Sequence, residues 1–110
     1  MITRTIEMNV KYDNKPALFK KIKAEVMPIL KKAPGFIDMI LLENVTVPNK
    51  VLALTFWETQ KNVEHYEKEL YPKVKAIVDP LFVTPPVVTH YTVEETFTEK
   101  LFTKILAATV

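Results

Sequence analysis

Three side chains of this 110-residue chain are well suited to chemistry on a flat organic ligand: Asn9, Trp57 and His65. An asparagine amide can donate a hydrogen bond to a ligand carbonyl or to a developing oxyanion. A tryptophan offers a broad apolar wall, and a histidine titrates near neutral pH, which suits a general base. Together these residue types could hold a flat ligand and remove a proton from it.

Each of the three also has a purely structural interpretation. Trp57 stands at a predicted strand end next to a helix start, where a large aromatic commonly packs the core of a small domain. His65 is two residues after Val63 and five before Leu70, off the central apolar stripe of its predicted helix, which favours an exposed position. Asn9 lies on the polar face of the first predicted strand. If that face meets the helices, Asn9 lines a cleft that Trp57 can share; otherwise it faces solvent.

Tyr66, His90 and Tyr91 are the candidate substrate-binding residues. Tyr66 follows His65 on the same predicted helix and is a second candidate for assisting proton removal. His90 and Tyr91 are neighbours on the last predicted strand and must point to opposite faces, so only one of them can enter a given pocket. Two histidines and scattered acidic residues have no metal-ligand spacing, and we expect no metal site and no cofactor.

Composition excludes several classes of function. The chain has one glycine and no cysteine, so Gly-rich nucleotide loops, disulfides and cysteine-ligated metals are ruled out. Its net charge is only +2, and Arg4 is the sole arginine, which argues against nucleic-acid binding. No segment has the apolar run of a signal peptide or a membrane span, and we expect a cytoplasmic protein.

Hydrophobic periodicity predicts the elements that position these residues. Residues 2–12 and 87–93 alternate apolar and polar, and the runs 36–43 and 50–58 are rich in β-forming residues, which together predict four strands. Residues 16–33 carry apolar side chains at helical spacing, with a kink expected at Pro28, and a second helix begins after Thr59 and restarts at Pro72. The order βαββαβ predicts an α+β, ferredoxin-like fold. Its antiparallel sheet has the order 4-1-3-2, with both helices on one face.

The third predicted strand is apolar on both faces, with Leu52, Leu54 and Phe56 on one side and Val51, Ala53 and Trp57 on the other. One layer of helices covers only one face, and a chain of this length has no second layer to spare. Burial of the other face against a second copy predicts a homodimer. The domain spans residues 1–96. Residues 97–110 form an amphipathic extension that either covers its own sheet, crosses to the partner or is disordered.

The chain resembles the antibiotic biosynthesis monooxygenase (ABM) superfamily from about Thr3 to Glu94. The likeness is carried by Pro34-Gly35-Phe36 at the end of the first helix, by the run from Leu54 to Thr59 with the letters LTFWET, and by Val63-Glu64-His65. The resemblance implies a dimeric α+β barrel with a pocket between sheet and helices. It also implies a cofactor-independent monooxygenase acting on a small aromatic or quinol-type substrate.

The chain has only some of the catalytic residues that define two branches of that family. Asn9 and Trp57 match two residues of the haem-degrading branch, but its histidine falls near Lys75 or Ala76. The polyketide-oxidising branch has an asparagine four residues before the tryptophan and an aromatic six after it, where this chain has Ala53 and Val63. A non-catalytic dimeric ligand-binding protein, or a relative of the haem-degrading enzymes without their histidine, therefore stands as the alternative.

Overall fold

The computed structural model describes residues 1–98 and Lys100. Within that part of the chain the strands are β1 (Ile2–Asn9), β2 (Phe36–Glu43), β3 (Lys50–Trp57) and β4 (Val87–Thr92). The helices are α1 (Lys15–Lys21), α2 (Met27–Lys32), α3 (Gln60–Glu69) and α4 (Tyr71–Val78). A π-helical turn (Ile22–Val26) joins α1 to α2, and a 3-10 turn (Asp79–Leu81) follows α4.

The four strands form one antiparallel sheet in the order β2-β3-β1-β4, which confirms the predicted ferredoxin-like α+β fold. β1 pairs with β3 from Ile2 opposite Trp57 to Asn9 opposite Lys50. The first strand is shorter than the predicted 2–12, because beyond Asn9 the chain turns away and Val10 makes only an isolated bridge to Phe82. The sheet register decides which side chains share a face, and therefore which can share a site.

All helices of the described chain pack on one face of the sheet. Apolar side chains of β1 and β3 on that face meet the apolar stripes of the helices in one buried cluster; it includes Ile6, Met8, Val51, Ala53, Trp57, Leu18, Ile22, Val26, Leu30, Val63, Tyr66, Val74 and Val78. The π-helical turn interrupts the long first helix just before Pro28. Proline has no N–H to donate to Ala24, and its ring crowds that carbonyl, so a widened turn replaces the simple kink predicted there.

The boundaries of α3 follow the local sequence signals. The side chain of Thr59 accepts a hydrogen bond from the Asn62 N–H at 3.1 Å and caps the helix start. Gly35 has a φ of +77°, and a Cβ at this position would lie 2.1 Å from Asn62 Oδ1. The one glycine of the chain is thus required both by its left-handed backbone and by the close approach of the α3 cap.

The opposite side of the sheet, called the outer face here, is also apolar, as the sequence predicts. Ile37 and Phe56 form a second buried cluster there, with Ile40 and Leu54 packed against it. Elsewhere on the outer face Leu42, Val87 and Tyr91 are exposed. The amphipathic helix expected in residues 98–108 lies outside the described residues, apart from Thr98 and Lys100.

Candidate active site between the sheet and the helices

A small cavity of about 40 Å³ lies in the helix-side core, between the sheet and the helices. Four polar residues reach it, each from a different element: Arg4 from β1, Thr55 from β3, Tyr66 from α3 and Tyr71 from α4. The rest of its lining is apolar and includes Ile6, Met8, Ile22, Val26, Met39 and Val74. The cavity has room for only a few water molecules in its present shape.

Arg4 is the most unusual residue of this core, because it is charged and only 3% exposed. It occupies a position of β1 between the apolar residues Ile2 and Ile6, and β1 aims that position at the helices. Its guanidinium carbon lies 4.3 Å from the ring centroid of Tyr71 and 5.4 Å from that of Tyr66, within range of a cation–π interaction. Arg4 Nη2 is buried and has no hydrogen-bond partner among the described residues.

Glu67 of α3 and His90 of β4 complete a polar network with Arg4. Glu67 Oε2 accepts a hydrogen bond from Arg4 Nε at 2.8 Å and lies 2.8 Å from His90 Nε2. Gln60 Nε2 is 3.3 Å from His90 Nδ1. The roles of the two ring nitrogens depend on the tautomer: an Nε2–H donates to Glu67, and an unprotonated Nδ1 accepts from Gln60. The network ties β1, α3 and β4 together at one end of the cleft.

Two pKa values are displaced in this network. Burial by itself would raise the pKa of Glu67, but hydrogen bonds and charge from Arg4 and His90 outweigh it, and the net change is downward. The pKa of Tyr66 is strongly raised, mainly by burial, with Tyr71 and Glu67 adding to the rise against the opposing charge of Arg4. At neutral pH the cleft therefore presents an ionised Glu67 and a protonated Tyr66 hydroxyl, which is a hydrogen-bond donor and not a base.

Trp57 is fully buried at the wall of this site. Its ring centroid is 4.9 Å from that of Tyr66 and 5.4 Å from that of Phe36, and its Nε1–H donates to Thr55 Oγ1 at 2.8 Å. Thr55 in turn lines the cavity and donates to the main-chain oxygen of Arg4 at 3.2 Å. Trp57 thus packs behind the residues that line the cavity, and the structure is compatible with its packing role and with a supporting role in the site.

Asn9 lies on the outer face, away from this cavity. It is exposed, donates from Nδ2 to Thr84 Oγ1 at 3.0 Å, and lines an open groove of about 340 Å³. Of the two alternatives for Asn9, the solvent-facing one holds and a cleft shared with Trp57 does not: Asn9 pairs with Lys50, seven residues before Trp57, so the two point to opposite faces. That groove is larger than the cavity, but none of the buried polar groups of the Arg4 network reaches it.

The remaining predicted site residues are divided between the two faces. Tyr66 and His90 belong to the helix side and stand in or next to the Arg4 network. Tyr91 is on the outer face, opposite Thr3, and 54% exposed. His65 is exposed on α3 and does not line the cavity. The catalytic role predicted for His65 stays a prediction, and its position lends that role no support.

Four residues that line the cavity or bind its arginine were not predicted from the sequence: Arg4, Thr55, Glu67 and Tyr71. A signal for Arg4 was present, because a charged residue in the apolar register of a strand must find a partner in the core. No local pattern distinguishes Glu67 from its exposed neighbour Glu64. The hydrogen bond between Arg4 and Glu67 joins residues 63 positions apart in sequence and depends on how α3 packs on β1.

A larger open groove of about 530 Å³ adjoins the cavity. It runs between the first helix and β2 and is lined by Phe19, Ile22, Lys23, Met27, Met39, Leu41 and Glu43. Ile22 and Met39 line both the groove and the cavity, so these two side chains separate the interior from solvent. Ile22 also begins the π-helical turn, a feature that often marks functional sites.

No group of three or more histidine or acidic side chains in the described residues is arranged to hold a metal ion. Across the same residues, no helix is long and apolar enough to cross a membrane.

Comparisons with known proteins bear on the family of this chain. The sequence profile described as antibiotic biosynthesis monooxygenase matches residues 1–79. Among solved structures, a monooxygenase from Streptomyces coelicolor in complex with nanaomycin D is 15% identical, with a TM-score of 0.74 over 87% of this chain and 89% of that one. SnoaB, a cofactor-independent oxygenase from Streptomyces nogalater, is 17% identical, with a TM-score of 0.72 over 89% of this chain and 97% of that one.

At these identities the two structures establish a shared fold, and no curated protein matches the chain by sequence. The family assignment rests on the profile match, because that match covers β1, β2, β3 and all the helices that enclose the cavity. By that match, and by the sheet order that agrees with it, the chain belongs to the antibiotic biosynthesis monooxygenase family.

Proposed function

We propose that the protein is a cofactor-independent monooxygenase that oxidises a small aromatic or quinol-type substrate in the cleft between the sheet and the helices. The observation that carries the proposal is the buried cation Arg4, which lies against the neighbouring rings of Tyr66 and Tyr71 at a cavity whose remaining walls are mostly apolar. Apolar walls with a few convergent polar groups are the usual composition of a small-molecule site. SnoaB, named as a cofactor-independent oxygenase, shares the fold and supports this choice of chemistry.

In such a reaction the substrate itself supplies the electrons. Loss of a proton from an acidic C–H or phenolic O–H makes the ring electron-rich, and the carbanion passes electrons to dioxygen. For a methylene between aromatic rings, one oxygen atom becomes the new carbonyl and the other leaves as water with the two former C–H hydrogens. Developing negative charge on the substrate is stabilised by fixed positive groups in a dry site, as Arg4 provides.

An aromatic ligand fits this cavity only if the side chains that line it move. A cavity of about 40 Å³ is far smaller than the several hundred Å³ typical of ligand sites, whereas the adjoining groove has about 530 Å³. Met39 is long and flexible and separates the two spaces. A ligand whose ring lies in the groove and whose polar end passes Met39 would place that end next to Arg4.

The protein acts, in this proposal, as a homodimer formed through the outer face. Leu42, Val87 and Tyr91 are 44%, 56% and 54% exposed there, beside the half-buried Leu54. A second copy of the same face would bury these side chains across a twofold axis. Leu54→Asp would place an unpaired charge in that interface and is expected to give monomers in sedimentation. Lys61→Asp, on exposed α3, is the matched control, and a Leu54→Asp dimer would contradict the assignment.

Oxygen uptake tests the activity directly. The protein is incubated in air with a panel of anthrones and hydroquinones, and with haem to test the haem-degrading alternative. We expect uptake with at least one anthrone or hydroquinone, and a slower rate for Tyr66→Phe, which keeps the ring but removes the hydroxyl donor. Glu64→Gln, an exposed change two residues earlier on α3, is the control and keeps the rate of the wild type.

The same experiment decides between turnover and simple binding. Quenching of Trp57 fluorescence reports binding, because the only tryptophan of the chain packs against Tyr66 at the cavity. Binding of these compounds without oxygen uptake would overturn the monooxygenase proposal in favour of a ligand-binding protein of the same fold. That second function is favoured by Ala53 and Val63, which stand where the polyketide-oxidising branch has an asparagine and an aromatic residue.

A further inference from the structure

We propose that Arg4 is the anion-binding residue of the cleft, and that its ligand is a small aromatic compound bound as a singly charged phenolate or enolate. The negative oxygen of this ligand accepts a hydrogen bond from Arg4 Nη2. The inference rests on the proposed function only in placing the ligand in the same cleft. It assigns the residue, the charge state and the chemical class of what binds there.

The first support is the unused donor. A guanidinium has five N–H groups, and leaving a buried charged donor without an acceptor costs more than an ordinary unmade hydrogen bond. Arg4 is 3% exposed, its Nε is bonded to Glu67, and its Nη2 has no partner among the described residues although it is buried. An acceptor supplied by a ligand in the cavity that Arg4 lines would satisfy it.

The second support is the placement of the countercharge. Glu67 contacts the Nε edge of the guanidinium and its side chain is 29% exposed, whereas Arg4 is buried. The field of Glu67 is therefore partly screened by solvent, while that of Arg4 acts in the low-dielectric cavity. Glu67 binds the guanidinium through Nε alone and leaves Nη2, on the same edge, without an acceptor. A site built only to neutralise Arg4 would pair both Nε and Nη2 with the two carboxylate oxygens.

The third support is the surrounding chemistry, which selects an aromatic anion over an inorganic one. Tyr66 and Tyr71 flank the guanidinium, and the other walls are aliphatic or methionine side chains. Phosphate and other strongly hydrated ions need several donors to replace their water, and this cavity offers few. A phenolate spreads its charge over the ring and loses less hydration.

The consequence for chemistry is that the site ionises its own ligand. A cation within hydrogen-bond distance typically lowers the pKa of an acidic group by about 1–3 units. A phenol that enters the cleft would give its proton to solvent and remain as the anion opposite Arg4. This removes the need for a protein base next to the cavity, in agreement with the exposed position of His65 and the protonated hydroxyl of Tyr66.

The test uses 4-nitrophenol, whose neutral and ionised forms absorb at different wavelengths, and the neutral isostere 4-nitroanisole. We expect bound 4-nitrophenol to titrate at least about one unit lower than the free compound, a tenfold preference for the phenolate. Arg4→Met should weaken binding of the phenolate by about tenfold or more and change binding of 4-nitroanisole by less than about twofold. Inorganic phosphate added as competitor should displace neither compound.

The outcomes separate this inference from the proposed function. An unchanged or raised titration of 4-nitrophenol bound to the wild type would overturn it, even if Arg4→Met failed to fold. Equal loss of both ligands in a folded Arg4→Met protein would show that Arg4 only shapes the core, and displacement by phosphate would contradict an aromatic ligand. The assay involves no turnover, so ionised binding without oxygen uptake would uphold the role of Arg4 while overturning the monooxygenase.

Discussion

Replacement of Glu67 by glutamine tests whether a charged pair orients Arg4. Glutamine keeps the shape and can still accept a hydrogen bond, so Glu67→Gln removes mainly the charge that both Arg4 Nε and His90 Nε2 contact. Hydrogen bonds to charged groups contribute about 1.5–3 kcal/mol and neutral ones about 0.5–1.5 kcal/mol. Since Glu67 is 29% exposed, the difference is reduced by solvent, and we expect a loss of about 1–3 kcal/mol.

The loss of unfolding free energy caused by Glu67→Gln should be full at neutral pH and should disappear at low pH. The pKa of Glu67 is lower in the folded protein than its ordinary value of 4.5, so its contribution to the free energy of unfolding is fully present above pH 4.5. It disappears as the pH falls through the lowered folded-state pKa, because a protonated glutamate resembles glutamine. The groups that face this carboxyl are Arg4 on β1, His90 on β4 and, through Arg4, the rings of Tyr66 and Tyr71.

Urea unfolding followed by Trp57 fluorescence measures the difference at several pH values. For a chain of this length, a loss of about 2 kcal/mol lowers the melting temperature by roughly 9 °C. Glu64→Gln on the exposed side of the same helix is the control and should change the free energy by less than about 0.5 kcal/mol. A Glu67→Gln loss that is equally large at pH 7 and well below the folded-state pKa would refute the charge argument.

Other substitutions test the backbone and the approach to the cavity. Gly35→Ala should destabilise the fold by at least about 1 kcal/mol in urea unfolding, because φ is +77° and the new Cβ would collide with Asn62; an unchanged midpoint would contradict this reading. Thr59→Ala should lower the free energy of unfolding by about 1 kcal/mol through the lost cap of α3, and Thr59→Ser, which can still cap the helix, should keep most of that stability. Met39→Ala should speed ligand association in stopped-flow fluorescence, whereas Met27→Ala, which lines only the groove, should not; equal rates would place the entrance elsewhere.

Most of the fold could be predicted because its signals are local. The alternation in β1, the helical spacing of Leu18 and Ile22, and the threonine cap each act within a few residues of the chain. Pro28 shows the limit of such signals. Its missing N–H predicts a disturbance of the helix, but only the packing of the neighbouring turns decides that the disturbance is a π-helical turn.

The candidate site was predicted less well, because it is assembled from residues far apart in sequence. Tyr66 and His90 lie at the helix-side cleft, and their substrate-binding role stays a prediction. For Asn9 the sequence left two faces open, and the register of β1 against β3 places it on the face opposite Trp57. That register is a property of the paired strands and cannot be read from either strand alone.

The sequence alone determined the order of elements, the turn at Gly35, the two apolar faces of β3 and the likeness to a known family. These follow from periodicity and backbone preferences that act over short distances. The tertiary structure alone decided that the one arginine lies in the core, bonded to Glu67 across 63 positions and flanked by two tyrosines. A buried charge is tolerated only where other elements bring partners to it. The polar network of the cleft therefore forms only when β1, β4 and α3 have packed together.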